Sequence, residues 1–240
     1  MVGKTHAVSA LLLLHGGLFG YSIYAHHAKI EPVSFFNFSV PTSLSFTDYL
    51  FVLVSSLLFI ALLLRVGSYK LLTGYAFLLS ILLVVMKVFL DRQEAFSLAL
   101  LFICYLFGSL FPDIDAEDSE LGRYFPFISM LIPHRTITHT FWLVALFGGL
   151  GFYFGSIYLI AFTMGCLIHI VEDSFSRQGI CWFYPILGSY LTYGGGQTIK
   201  KNRYPTFYYT TDGLFEMVFL YSSILLNSLL IVLTLYNYLD

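Results

Sequence analysis

Seven apolar stretches decide what this chain can fold into. They cover residues 7–25, 48–64, 70–90, 95–111, 141–155, 156–172 and 214–239. A membrane-spanning helix needs about 20 mostly apolar residues, with a range of about 17 to 25. Of the 240 residues only 11% are charged, while 58% are hydrophobic. A water-soluble domain carries roughly 25% charged residues, so this chain lacks the polar surface to face water on every side. Inside lipid every backbone N–H and C=O must find a partner within the protein, and a helix achieves this on its own. The predicted fold is all-α, a polytopic transmembrane bundle of about seven helices. With no internal repeat or low-complexity tract to divide them, residues 1–240 are expected to form a single integral membrane domain.

The first stretch follows Lys4 and has the look of a signal peptide. Its apolar residues continue through Gly16, Gly17 and Phe19 to Tyr24 with no small-residue cleavage site behind them, so a retained first helix is expected. The fifth and sixth stretches are short and meet at Gly155-Ser156, which predicts a tight helical hairpin. Three longer polar stretches separate the helices. Residues 26–47 read as an interfacial loop, and residues 111–139 hold an acidic segment followed by IPHRTITH. Residues 173–213 are rich in Gly, Tyr and Lys/Arg, and Gly194-Gly195-Gly196 within them reads as a flexible loop.

Seven crossings place the termini on opposite sides. On the N-terminal side fall Lys4, Arg65, Lys70, Arg123, Arg135, Arg177, Lys200, Lys201 and Arg203; the other side has Lys29, Lys87 and Arg92. The positive-inside rule then predicts a cytoplasmic N-terminus. A net charge of −2 and the lack of a basic stripe exclude nucleic acid as the partner. Cys104, Cys166 and Cys181 are scattered with no CxxC pair, and read as small buried hydrophobes rather than disulfides or metal ligands.

The seven-crossing topology has a chemical consequence. His6 precedes helix 1, Asp113 and Asp115 end helix 4, His134 and His139 precede helix 5, His169 and Asp173 end helix 6, and Glu216 opens helix 7. All of them come to one face of the membrane. Asp113 and Asp115, two residues apart, suit a hard or borderline cation if both turn toward one site; the plainer reading is an acidic loop with Asp113 capping a turn. His134 and His139 offer imidazoles, the usual nitrogen ligands of zinc or iron, and Arg135 offers a planar fork for an anion. Thr138 has a plainer role as a helix N-cap. His169 and Asp173 lie four apart on one helical face, and ionisable groups at such a depth point to function. His15 reads as a packing residue bonded within the bundle, and His26 and His27 lie at the far end of helix 1. Glu216 is expected behind the cluster, and its place at a helix N-terminus is favoured by the dipole in any case. HExxH, GxSxG and Walker-type signatures are absent.

These elements resemble the YdjM-type family of predicted membrane-bound, metal-dependent hydrolases of bacteria. The resemblance rests on Thr5-His6, on Pro112-Asp113 with Asp115, and on His134-Arg135 with Thr138-His139. It also rests on Gly165, His169 and Asp173 followed by Trp182 and Pro185. It implies metal binding by His6, Asp113, Asp115, His139, His169 and Asp173. The chain departs from the family in having Thr140 where a serine usually follows His139, and in its Glu172-Asp173 pair, either of which fits the acidic position.

Mixed nitrogen and carboxylate ligands argue for zinc, with manganese or iron next. The expected activity is hydrolysis of an ester or phosphoester by a metal-activated water in the bacterial inner membrane. Arg135 would hold the substrate anion and His134 shuttle a proton. Membrane lipids, among them a phospholipid or a polyprenyl phosphate, are the expected substrates. Two other classes stay open: a transporter or metal-handling protein, and a non-catalytic scaffold with a structural metal. Few polar residues lie deep in the helices beyond His15, Ser55-Ser56 and Ser80, which disfavours a transport path.

Overall fold

Long apolar segments become helices here because lipid leaves the backbone no other partner. The computed structural model describes residues 3–28, 34–35, 38–39, 45–64, 68–176, 179–186, 189–193, 196–200 and 213–239. Helix α1 spans Gly3–Ala28, α2 Phe46–Leu63, α3 Tyr69–Val84, and α4 Gln93–Leu110. The last turn of α3 continues as a π-helical turn, Val85–Phe89, and α4 runs into a 3-10 turn, Phe111–Asp115. A short α5, Pro126–Leu131, precedes a 3-10 turn at Ile137–His139; then come α6, Phe141–Phe154, α7, Ile157–Ser174, and α8, Leu214–Leu239. Two small antiparallel pairs accompany them, β1 (Ser34–Phe35) with β2 (Phe38–Ser39) and β3 (Ser189–Tyr193) with β4 (Gly196–Lys200).

Seven long helices thus stand where the apolar stretches predict them. Among the described residues, α2, α3 with its π turn, α4 with its 3-10 turn, α7 and α8 are each long and apolar enough to cross a membrane. Helix α1, with 26 residues, reaches about 39 Å at 1.5 Å per residue. Helix α6 has only 14, about 21 Å, less than the ~30 Å hydrocarbon core. Phe77, Val88, Tyr153 and Leu225 are among many large apolar side chains left exposed, on a scale that only lipid contact explains.

The structure adds elements that the sequence reading lacks. Helix α5 lies within the acidic stretch, and Gly196, expected in a loop, opens β4 beside the strand-forming Tyr190–Tyr193 segment. Gly194, Gly195, Lys29, Arg65, Arg177, Lys201 and Arg203 lie outside the described residues. The predicted hairpin between α6 and α7 is present: Gly155 adopts the left-handed conformation (φ 61°) that ends α6, and the Ser156 hydroxyl accepts the Leu159 N–H at the start of α7.

Helix α4 is the axis of the bundle. One buried cluster joins Val52 of α2 and Met86 to Ala95, Leu98, Ala99 and Phe102 of α4. A second joins Ala10 and Leu11 of α1, Tyr105 and Leu106 of α4, and Ala161 of α7. Lipid tails are as apolar as leucine, so helices in a membrane associate through close packing of small residues. The α4–α7 crossing shows this directly. A Cβ on Gly165 would lie 2.1 Å from the Tyr105 carbonyl oxygen, and one on Gly108 would lie 2.1 Å from that of Phe162. Backbone rests on backbone there, one to two turns below the ends of both helices that carry Asp113 and Asp173.

Deeper in the bundle, serine hydroxyls bond within their own helices and His15 bonds across to another. The Ser55 and Ser56 hydroxyls donate to their own helix at Phe51 and Val52. His15 pairs through Nδ1 with Asn227 Oδ1 at 3.3 Å, tying α1 to α8.

Candidate metal centre

Pro112 takes α4 out of α-helical form into a 3-10 turn. With 3.0 residues per turn, side chains two positions apart diverge by about 120°. Asp113 and Asp115 accordingly approach opposite edges of the His139 ring, although one oxygen of each still lies within 4.8 Å of the other. Asp113 Oδ1 lies 3.3 Å from His139 Nε2, while Asp115 Oδ2 lies 3.5 Å from His139 Nδ1.

Asp115 is saturated by its neighbours. Its Oδ1 accepts from His134 Nδ1 at 2.7 Å, and its Oδ2 from the Arg135 N–H at 3.0 Å and from the Thr138 hydroxyl. Thr138 therefore does not cap a helix; Thr140 is the N-cap of α6, and Thr138 braces the acidic turn instead. Arg135 sits at φ 63°, a left-handed conformation rare outside glycine, which aims its N–H at Asp115 while its guanidinium turns the other way. That guanidinium lies 2.7 Å from Asp173 Oδ2 and donates to the Ser176 hydroxyl at 2.8 Å. Arg135 is thus tied to a carboxylate of the protein itself.

The three buried imidazoles can be assigned a tautomer from their partners. His169 Nδ1 lies 2.7 Å from the Ser109 carbonyl oxygen, which can only accept, so Nδ1 carries the proton. His6 Nδ1 lies 2.5 Å from Glu172 Oε2, again an acceptor. His139 Nδ1 lies 3.0 Å from the Thr138 oxygen, whose hydroxyl hydrogen is already given to Asp115, so here too the ring donates. In the neutral form of each ring the lone pair is left on Nε2. All three Nε2 atoms are buried, and among the described residues none has a hydrogen-bond partner.

Those lone pairs converge on two carboxylates. His139 Nε2 and His169 Nε2 lie 3.3 and 3.4 Å from Asp113 Oδ1, and 3.7 and 4.0 Å from Asp173 Oδ2. His6 Nε2 lies 3.6 Å from Asp173 Oδ1, and its ring stacks on that of His169 at 3.8 Å. Most of these separations are too long for good hydrogen bonds. They match the edges of a coordination shell: donors about 2.1 Å from a tetrahedral zinc lie roughly 3.4 Å from one another. Asp113, His139, His169 and Asp173 present ligand atoms all within 4.8 Å of each other. A second grouping of this kind, Asp113, Asp115, His134 and His139, also exists, but Asp115 and His134 there are engaged with each other. The donor set fits a divalent ion with borderline preference, and the protonated Nδ1 atoms supply the outer hydrogen bonds that such ligands characteristically make.

Sequence reasoning placed His6, Asp113, Asp115, His134, Arg135, His139, His169 and Asp173 together, and the structure brings all eight into one cluster. It did not single out Ser9, whose hydroxyl donates to Glu172 Oε1 at 2.5 Å, nor the Ser109 carbonyl. The signal for Ser9 was its place one turn after His6. Glu172 and Asp173 divide the choice that the sequence left open, Glu172 on Nδ1 of His6 and Asp173 on Nε2. Glu216 is buried in the first turn of α8.

In the protein without a cation, burial pulls His139 toward its neutral form, but Asp113 and Asp115 outweigh burial and raise its pKa from 6.5 to about 9. At neutral pH His139 therefore holds a proton that a metal must displace. Affinity should rise with pH up to about 9 and then level off. Below that value each pH unit should cost about tenfold in zinc affinity per displaced proton. Competition with a chelator at pH 6.5 and 7.5 measures it; equal affinities would contradict a ligand role for His139.

Residues 79–239 match the family described as YdjM inner membrane protein, which covers more than half of the chain and holds every cluster residue except His6 and Ser9. The chain belongs to the YdjM family. No curated protein and no solved structure matches it. The family's description and the apolar helices agree on an integral membrane protein. Helix α1 lies outside the matched residues, so the imidazole of His6 is added to the YdjM cluster from a segment that the match does not reach.

Proposed function

We propose that this protein is a membrane-embedded, metal-dependent hydrolase acting on an ester or phosphoester of an amphiphile. The observation that carries the reading is the convergence of three buried, lone-pair-bearing Nε2 atoms on Asp113 and Asp173. Asp113, His139, His169 and Asp173 would hold the ion, with His6 beside them on Asp173, zinc in first place and manganese or iron next. Such an ion supplies Lewis acidity and an acidified water for hydrolysis. Asp115 orients His139 through Thr138 and holds His134. Arg135 positions Asp173 rather than meeting substrate. His134 stands exposed at the rim with Nδ1 anchored on Asp115, so its other nitrogen can carry a proton between solvent and the leaving group.

The rim favours a lipid-like substrate. Phe127, Met130 and Leu131 of α5 and Ile186 are exposed around the same end of the bundle, an apolar collar suited to the headgroup region. Purified protein should contain about one equivalent of metal and release phosphate or fatty acid from a panel of lipid phosphates and phospholipids in micelles. Full metal occupancy with no turnover across that panel would favour a structural site instead.

The Lys and Arg bias supports a cytoplasmic position for the cluster. An Asp118→Cys variant, in the exposed acidic turn beside it, should react with a membrane-impermeant maleimide only after spheroplasts are permeabilised. Labelling of intact spheroplasts would reverse the orientation.

A further inference from the structure

Beside the cluster, α1, α4 and α7 leave an apolar groove of about 410 Å³. On α7 it runs from Ile157 to Ile168, about 16 Å along the helix axis. Its inner end is at Ile168, the residue before His169, and at Tyr105, one turn before the Ser109 carbonyl that holds His169. Ala161, buried, forms the floor, while Leu13 and Met164, about half exposed, form the lips. The lips lie on spanning helices, so the groove opens sideways into lipid.

From this geometry we infer that the groove holds one hydrocarbon chain of an amphiphile whose polar end lies at the His/Asp cluster. Three observations select this occupant. The length, about 16 Å, is roughly half of the ~30 Å hydrocarbon thickness, the depth of a single leaflet. Its lining is apolar along the whole length, with Leu14, Leu101, Ile160 and Ala161 side by side, so it offers a polar occupant almost nothing to bond. An alkyl or isoprenoid chain suits such a surface. Finally, the groove begins beside His169, so a chain lying in it brings its headgroup from the same leaflet to the cluster. What happens to that headgroup rests on the hydrolase reading above; occupancy of the groove does not.

The test uses full-length protein in nanodiscs containing a phospholipid with a diazirine in one acyl chain. After irradiation, cross-links should concentrate on Leu13, Met164 and their neighbours, well above the lipid-exposed Phe77 of α3 and Leu225 of α8. Ala161→Phe, which fills the floor, should lower groove labelling roughly tenfold, the equivalent of losing one side chain's apolar contact, with zinc content unchanged. Met164→Trp, at an exposed lip where a larger ring is accommodated, provides a second variant with the same expected direction. Labelling spread evenly over α3, α8 and the groove, or unaffected by both variants, overturns the inference. Groove labelling in a protein that binds no zinc leaves the groove standing and removes the metal reading instead.

Discussion

His139→Ala should leave a folded protein that no longer retains its metal. The ring contributes one of the convergent Nε2 atoms and touches Asp113 and Asp115 on opposite edges, so its removal takes away a ligand and leaves two carboxylates facing each other across a void. The expected loss of zinc affinity exceeds about 100-fold, because losing merely the group that orients a ligand already costs 10–100-fold. Glu172→Gln provides that milder case. It keeps an acceptor for His6 Nδ1 but removes the charge, and should weaken zinc within the 10–100-fold range. Elemental analysis of detergent-purified protein, wild type beside both variants, gives the order directly. Equal metal content in all three would show that the cluster is held by hydrogen bonds alone.

Gly165→Ala should be more damaging to the fold than any single change among the lipid-facing side chains. A methyl group there would sit 2.1 Å from the Tyr105 carbonyl and 2.7 Å from the Ser109 amide nitrogen. Neither atom can rotate away, since both belong to the α4 backbone. Overpacking of side chains costs about 1–3 kcal/mol; against backbone the cost should reach at least about 3 kcal/mol, with α4 and α7 forced apart. Gly149→Ala is the control, because nothing lies within 4 Å of its added carbon, and should change stability by no more than about 0.5 kcal/mol. Thermal unfolding followed by size-exclusion chromatography in detergent distinguishes the two. If Gly165→Ala melts with the wild type, the close approach of α4 and α7 is wrong.

The long helices were legible because lipid imposes two demands at once, length and the absence of charge; α2 to α4, α7 and α8 satisfy both within a few residues of their observed ends, while the 14-residue α6 shows only the second. The cluster was legible because four apolar stretches separate His6 from Asp113 and two separate His139 from His169, and an even number of crossings returns a chain to the side it left. Directions were less so. That Asp113 and Asp115 part company depends on a 3-10 turn rather than a loose loop, and that Glu172 and Asp173 reach different nitrogens of His6 depends on where α1 docks. Arg135, read from composition as an anion fork, takes a left-handed backbone that sends its charge inward to Asp173. Helix α5 is six residues long, too short for a periodic signal to stand out from its surroundings.

His6 and Glu172 are hydrogen-bonded across 166 positions of chain. A ribosome adding about 5–20 residues each second delivers the first partner to the membrane roughly ten to thirty seconds before the second. Throughout that interval the imidazole has no Glu172 to bond, although α4, which packs on α1, arrives well before α7. Nascent chains cut short before α7 should therefore insert normally and yet be unable to capture a cation, which makes loading of the site a late event in biogenesis.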